Sequence, residues 1–204
     1  MISYHNDVKP VTDTNSFVFI FGGGNIEAAV VQYLHSSRSY RILMSNGDSQ
    51  LGGKDFDLVI ARIVKKKLTN HQITQNSERE SKVRFKILKE ASGVKEALST
   101  TENETFRLND ICQAIEDDNI TRLQFREGSE ELIQRIRNIC MLTLNEANSN
   151  GIKIDRVILF GMSSSMSFVN PMMREIFGAE VSICKPMRMG QDFARGAALS
   201  SLFK

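Results

Sequence analysis

Three consecutive glycines, Gly22–Gly24, interrupt an apolar run in "SFVFIFGGGNIEAAVV" (residues 16–31) and limit what this part of the chain can become. Successive glycines leave backbone N–H groups bare and let the chain reach positive φ, which suits a phosphate pressed against the backbone. No carboxylate lies in Phe17–Phe21, and Glu27 is the first one after the glycines. "IEAAVVQYL" reads either as a helix or as a strand. A helix would give strand–glycine loop–helix, as in dinucleotide-binding folds, yet no third glycine follows Gly24 at the G-x-G-x-x-G spacing. A strand would make the glycines a hairpin turn, with "YRILMSN" (40–46) as a third strand. The meander is the preferred reading.

From Asp55 the apolar period changes to helical, with Phe56, Val59, Ile60, Ile63 and Leu68 on one face and Lys65–Lys67 on the solvated side. A second helix carries Ile87, Ala91, Val94 and Leu98, after a polar, loop-like "TNHQITQNSERESK". "TFRLNDI" (105–111) reads as a strand and Glu116–Asn119 as a turn. A long helix begins near Ser129, a plausible N-cap, shows Leu132, Ile136, Ile139, Cys140 and Ala147 on one face, and stops at 148–151. The last third alternates strand and helix: "RVILF" (156–160), a small-residue loop (161–167), "FVNPMMREIF", "EVSIC", and a closing helix "QDFARGAALSSLF" that contains Gly196. Residues 1–16 read as a polar lead-in. The fold class is α/β, a mixed sheet with a helical insert.

Composition excludes several functions. An apolar fraction of 41% beside 25% charged residues suits a globular chain with a real core. The net charge of +2 gives no whole-protein case for nucleic acid or an acidic membrane. Cys112, Cys140 and Cys184 are scattered without a CxxC, and His5, His35 and His71 are equally isolated, so neither set makes a metal site. Free thiols, no signal-peptide pattern and no apolar run near ~18 residues point to a cytoplasmic protein, with nuclear or processed organellar forms left open. Methionines such as Met172, Met173, Met187 and Met189 read as core filler.

For chemistry, the strongest local pointer is the loop "GMSSSMS" between a strand and a helix, the place where α/β proteins bind phosphates; the plainer alternative is a connector with a serine N-cap. Around Ser163 the second glycine of G-x-S-x-G is missing and no histidine is near in sequence, which argues against serine hydrolysis.

"GDSQLGGKDFD" (47–57) resembles the G-D-T-x-L-G-G-x-D-F-D motif of the seventy-kilodalton heat-shock chaperones, with Ser49 and Lys54 as variations. "FIFGGGNIE" is similar to that family's F-D-L-G-G-G-T-F-D phosphate hairpin. "KEASGVKEALST" resembles its adenosine helix, "ITRLQFRE" its I-T-R-A-R-F-E, "VILFGMSSSMSFVNPMMREIFG" its V-L-V-G-G-S-T-R-I-P loop and helix, and "FARGAALSSLF" its closing helix. The resemblance runs from Phe17 to Lys204.

It implies an actin/hexokinase-like ATPase fold, and only that domain's second lobe (subdomains IIA and IIB). The base would be 17–51 and 121–204, and the insert 52–120. It also implies ATP or ADP binding in protein folding by Gly22, Gly23, Gly24, Asn25, Ser92, Lys95, Glu96, Ser99, Gly161, Met162, Ser163 and Ser165. Departures fall on the pocket. The family's metal-side aspartate is Ile20, so the magnesium site is expected to be lost. The hairpin threonine is Asn25, the helix glutamate is Ser92, and the two base-stacking arginines are Glu96 and Ser165. The second loop glycine is Met162, and an aspartate of the closing helix is Gly190. Nucleotide binding is therefore expected to be weak and hydrolysis absent. The alternative is a catalytically silent module binding a J-domain co-chaperone, a nucleotide-exchange factor or a complementary ATPase lobe.

Overall fold

The apolar run before the glycines forms a strand buried on both sheet faces, which is why it shows no alternation. The computed structural model describes residues 11–68, 77–111 and 116–185, together with Ala194 and Ala198. In chain order the elements are β1 (Thr14–Phe21), β2 (Ile26–Leu34), β3 (Ser39–Asp48), α1 (Gly53–Leu68), α2 (Ser77–Ala97), β4 (Asn103–Phe106), β5 (Asp118–Thr121), α3 (Arg122–Gly128), α4 (Glu130–Ser149), β6 (Arg156–Phe160), α5 (Val169–Phe177) and β7 (Ser182–Cys184). They divide into two compact units, 1–52 with 136–165 and 169–204, and 53–135 with 166–168.

The first unit is built on a five-stranded mixed sheet of order β3-β2-β1-β6-β7. β1, β2 and β3 form the antiparallel meander, and no helix follows the glycines. β6 then pairs parallel to β1, and β7 parallel to β6. Phe17, Phe19 and Phe21 point to one face of the sheet and are fully buried, Phe17 lying 4.6 Å from the Phe177 ring. On the other face Val18, Ala29, Val31, Ile158 and Phe160 form a second apolar layer. Ile136, Cys140, Thr143 and Ala147 of α4 are buried. Asn46 of β3 donates to Thr143 Oγ1 (3.2 Å) and Glu146 Oε2 (3.0 Å), tying the sheet edge to that helix.

The second unit contains α1, α2, the antiparallel β4–β5 pair and α3. Phe56, Val59, Ile60 and Val64 of α1 are buried, as are Ile87, Ala91 and Val94 of α2, at the helical spacing the sequence shows. Phe56 stacks on Phe168 at 5.5 Å and meets Phe125 of α3 edge-on at 6.1 Å.

Several expectations need correcting. β1 starts at Thr14, because the Asn15 backbone N–H donates to Asp155 Oδ2 and the Asn15 carbonyl accepts from the Asp155 N–H, which extends the strand into the polar lead-in. α2 begins at Ser77, so "SERESK" is helix. The strand expected at 105–111 is Asn103–Phe106, and the acidic turn contributes Asp118 and Asn119 to β5. α3 was not anticipated; Thr121 and Gln124 close a capping box at its start. Ser129 precedes α4, but its backbone N–H ends α3 and its Oγ is buried without a hydrogen bond, so it is no side-chain cap. Met172, Met173 and Met166 are core, whereas Met141 and Met162 are exposed. Cys140 is buried and Cys184 half-buried. Cys112, His5, His71, Met187, Met189, Gly190, Gly196 and most of the closing-helix segment lie outside the described residues. Among the described residues no helix is long and apolar enough to cross a membrane.

Candidate functional site

In the first unit the parallel pairing of β1 with β6 sets Ile20 level with Phe160, so the segments after each strand, Gly22–Asn25 and Gly161–Ser165, lie side by side. Gly22 N–H donates to the Asn25 carbonyl at 3.1 Å and closes the hairpin. Ser163 Oγ donates to the Gly22 carbonyl at 3.0 Å and stitches the two segments together. Gly161 sits at φ +85°, where a Cβ would overlap the Phe21 carbonyl oxygen. Ser164 Oγ donates to the Gly161 carbonyl (2.7 Å) and Ser165 Oγ to the Met162 carbonyl (2.6 Å), so these hydroxyls hold the 3₁₀ turn Met162–Ser165. The Met162 side chain points to solvent, 67% exposed.

The hairpin glycines are not where backbone strain lies. Left-handed glycines among the described residues are Gly151, Gly161 and Gly178, so Gly22–Gly24 do not use the positive φ open to them. Gly23 and Gly24 are exposed, and a Cβ on either would meet nothing within 4 Å. Crowding falls instead on Gly52, whose Cβ would lie 2.5 Å from the nitrogen and Cα of Gly24. The unit's own packing thus demands glycine at 52 and 161 but not at 23 or 24. The hairpin tip is bare backbone facing outward.

Ile20 is half-buried and packs on the Val18, Ala29, Val31, Ile158 and Phe160 layer. Glu27 stands directly opposite it in register and on the same sheet face. On its other side Glu27 pairs with Gly47, which has no side chain. Sequence reading noted Glu27 only as the nearest carboxylate; its place beside Ile20 follows once the hairpin register is known.

In the second unit Ser92, Lys95 and Glu96 recur at helical spacing on α2, and Ser99 continues that row just past its end. Glu96 is exposed and Ser92 and Ser99 are half-buried. Lys95 is buried, with Nζ 2.6 Å from Asp57 Oδ1 of α1, and donates to the Gly53 carbonyl at 3.3 Å. Ser99 Oγ donates to the Lys95 carbonyl at 3.4 Å. Asp57 was missed, although it is the last residue of "GDSQLGGKDFD". The structure therefore brings the two loops together in one unit and the helix positions together in the other.

Two titratable groups of the first unit are held in their neutral forms. Burial pushes the Cys140 thiol up to about 12, against the opposing pull of Arg137. Burial, then Tyr33, raises the Tyr40 phenol to about 12. Both stay protonated at neutral pH. Among the described residues no group of three or more His, Cys, Asp or Glu side chains is placed to hold a metal.

A five-stranded mixed sheet with helices, its glycine hairpin stitched to a strand-end turn, defines an α/β protein. The family model described as Hsp70 protein matches residues 3–202, and the chain belongs to that family. It is 30% identical over 160 residues to a chaperone protein HscA homolog of Histophilus somni, covering 78% of this chain and 24% of that protein. It is 26% identical over 205 residues to the chaperone protein DnaK of Psychrobacter cryohalolentis, covering 97% and 31%. A mitochondrial-type heat shock protein 70 of Encephalitozoon hellem is 29% identical over 191 residues, covering 91% and 31%. The matched region is about a quarter to a third of the length of these curated relatives.

Proposed function

We propose that the chain is the second lobe of an actin-like chaperone ATPase domain, the first compact unit its IIA-like base and the second its IIB-like insert, so that 121–135 fall with the insert rather than with the base, and that it holds adenine nucleotide weakly without hydrolysing it. The observation that carries this reading is the bare backbone of Gly23 and Gly24. Neither packing nor conformation explains glycine there, whereas an anion lying on the N–H groups does. Asn25, Gly161, Met162, Ser163 and Ser165 would frame the phosphate side. Ser92, Lys95, Glu96 and Ser99 of the second unit are the positions that the resemblance assigns to the nucleoside.

Magnesium fits these residues poorly. It asks for oxygen ligands in a near-octahedral shell, and Ile20 offers hydrocarbon packed into an apolar layer. Glu27 is the one carboxylate in that row of strands, and we derive no step through the metal. The resemblance sets Glu96 and Ser165 where the family stacks two arginines on the base; losing cation–π contacts of roughly 0.5–2 kcal/mol each lowers the expected affinity about five-fold or more.

A second reading is favoured by Ile20 and by the Lys95 ammonium already held by Asp57: an interaction module for a J-domain protein, an exchange factor or a complementary lobe. Calorimetric titration with ADP and ATP, with and without magnesium, separates the two. Saturable binding weakened at least about ten-fold by Gly23→Val, and indifferent to magnesium, supports the nucleotide reading. Silence to millimolar nucleotide leaves the interaction module.

A further inference from the structure

Two asparagines of this chain are followed by glycine, in the pairs Asn46–Gly47 and Asn150–Gly151. Such a pair is chemically labile, because glycine has no Cβ to keep its nitrogen away from the preceding side-chain amide carbon. The structure places the two pairs in opposite settings.

Asn150 and Gly151 end α4. Gly151 N–H donates to the Asn148 carbonyl at 3.0 Å and Ile152 N–H to the Ala147 carbonyl at 2.9 Å, with Gly151 at φ +69°. This is the Schellman arrangement, in which the residue after the cap turns left-handed and is therefore best served by glycine. The helix stop itself thus creates the labile pair. Residues 148–151 are exposed. Asn150 Nδ2 donates to the Glu146 carbonyl at 2.7 Å, a contact at a helix end, where local opening costs little. Asn46 is held more firmly. It is half-buried in β3, its Nδ2 donates to Thr143 Oγ1 and Glu146 Oε2 of α4, and Gly47 is paired with Glu27 of β2. A Cβ on Gly47 would lie 2.6 Å from the Ile26 carbonyl oxygen, so the backbones there are pressed together. Reaction at Asn46 requires the strand to leave the sheet.

We propose that Asn150 is a spontaneous modification site, where loss of the side-chain amide gives isoaspartate and aspartate. The Gly151 nitrogen attacks Asn150 Cγ, the Cγ–Nδ2 bond breaks, and Nδ2 leaves as ammonia with the proton of the Gly151 nitrogen. Water then opens the cyclic imide at either carbonyl. Opening at Cγ gives aspartate. Opening at the main-chain carbonyl gives isoaspartate, whose main chain runs through Cβ and Cγ and is one methylene longer. Either product sets a carboxylate at the C-terminal end of α4, where the helix dipole disfavours it and the last turn carries no basic side chain. Isoaspartate also breaks the spacing of the Schellman bonds. The misfit passes to 152–155, where the Lys153 carbonyl accepts from Asn15 Nδ2 and the Asp155 N–H donates to the Asn15 carbonyl near the start of β1. The first unit therefore ages from the end of α4, whether or not the glycine hairpin holds nucleotide.

The test is peptide mapping by mass spectrometry of the full chain kept for several days in mildly alkaline buffer, folded and in urea. In the folded chain Asn150 is expected to convert at least about ten-fold faster than Asn46, with isoaspartate the larger product. In urea the two should convert at similar rates. Aged chain should unfold at lower urea than fresh chain, whereas aged Asn150→Gln should keep its fresh midpoint. Asn150→Asp, which adds the charge without lengthening the main chain, should show a smaller shift than the isoaspartate fraction. Circular dichroism confirms that both variants fold. The proposal is overturned if Asn150 keeps its amide in the folded chain while it converts in urea, or if Asn46 and Asn150 convert equally fast in the folded chain. An isoaspartate fraction with the midpoint of fresh chain would overturn the assigned effect on α4.

Discussion

Lys95 shows how one side chain can carry two readings. Its ammonium lies between Asp57 and the Gly53 carbonyl with only 11% of the side chain exposed, and Asp57 is 14% exposed. Removing either partner strands a mostly buried charge, so Lys95→Ala and Asp57→Ala should each cost about 2–4 kcal/mol in urea unfolding. The double variant should cost less than the sum of the two. Additive losses would mean the pair does not act as a unit. A fall in nucleotide affinity for Lys95→Ala is therefore informative only beside its stability. Cys140 gives a pH prediction. Its thiol ionises near 9.0 when unfolded and near about 12 when buried. Above pH 9 the unfolded chain loses a proton that the folded chain keeps, so stability falls as pH rises from about 9 to 12. Cys140→Ser should flatten that part of the curve in denaturation measured across pH, and an unchanged slope would contradict the assignment.

At the scale of elements, hairpin chemistry and period carried the sequence reading well. Three strands around a short glycine turn left few registers open, and Phe56, Val59 and Ile60 announced α1 by spacing alone. Polar sequence hid the rest. The first turn of α2 shows no apolar stripe, α3 buries only Phe125, and Asp118 and Asn119 enter a two-stranded pair that acidic turns seldom join. The capping box of Thr121 and Gln124 was the available signal for α3. Glycine roles were legible as a group but not one by one. Gly161→Ala forces an L side chain into φ +85° against backbone and should cost about 1–3 kcal/mol or more. Gly23→Ala should stay within about 1 kcal/mol of the parent, since its Cβ meets nothing. Equal losses in urea unfolding would show that the hairpin glycines serve packing after all.

For the whole molecule, summed properties proved the least informative. A net charge of +2 conceals eight cations and no acid in residues 62–67 and 82–89, against −6 for the rest of the chain, because opposite excesses cancel in a total. Motif resemblance supplied the candidate site, and the structure shows how the segments around the hairpin are held. Ser163 pins Gly22, Gly52 supports Gly24, and Glu27 stands opposite Ile20. Membership of the Hsp70 family is shown by a match over residues 3–202. The account's central claim is that the outward-facing hairpin backbone receives a nucleotide phosphate. Its most direct test is the ¹H–¹⁵N spectrum of the labelled chain titrated with ADP. The account predicts saturable movement of the Gly23 and Gly24 amides together with those of Gly161–Ser165. Spectra unmoved at millimolar ADP, or shifts confined to residues away from both loops, would contradict it.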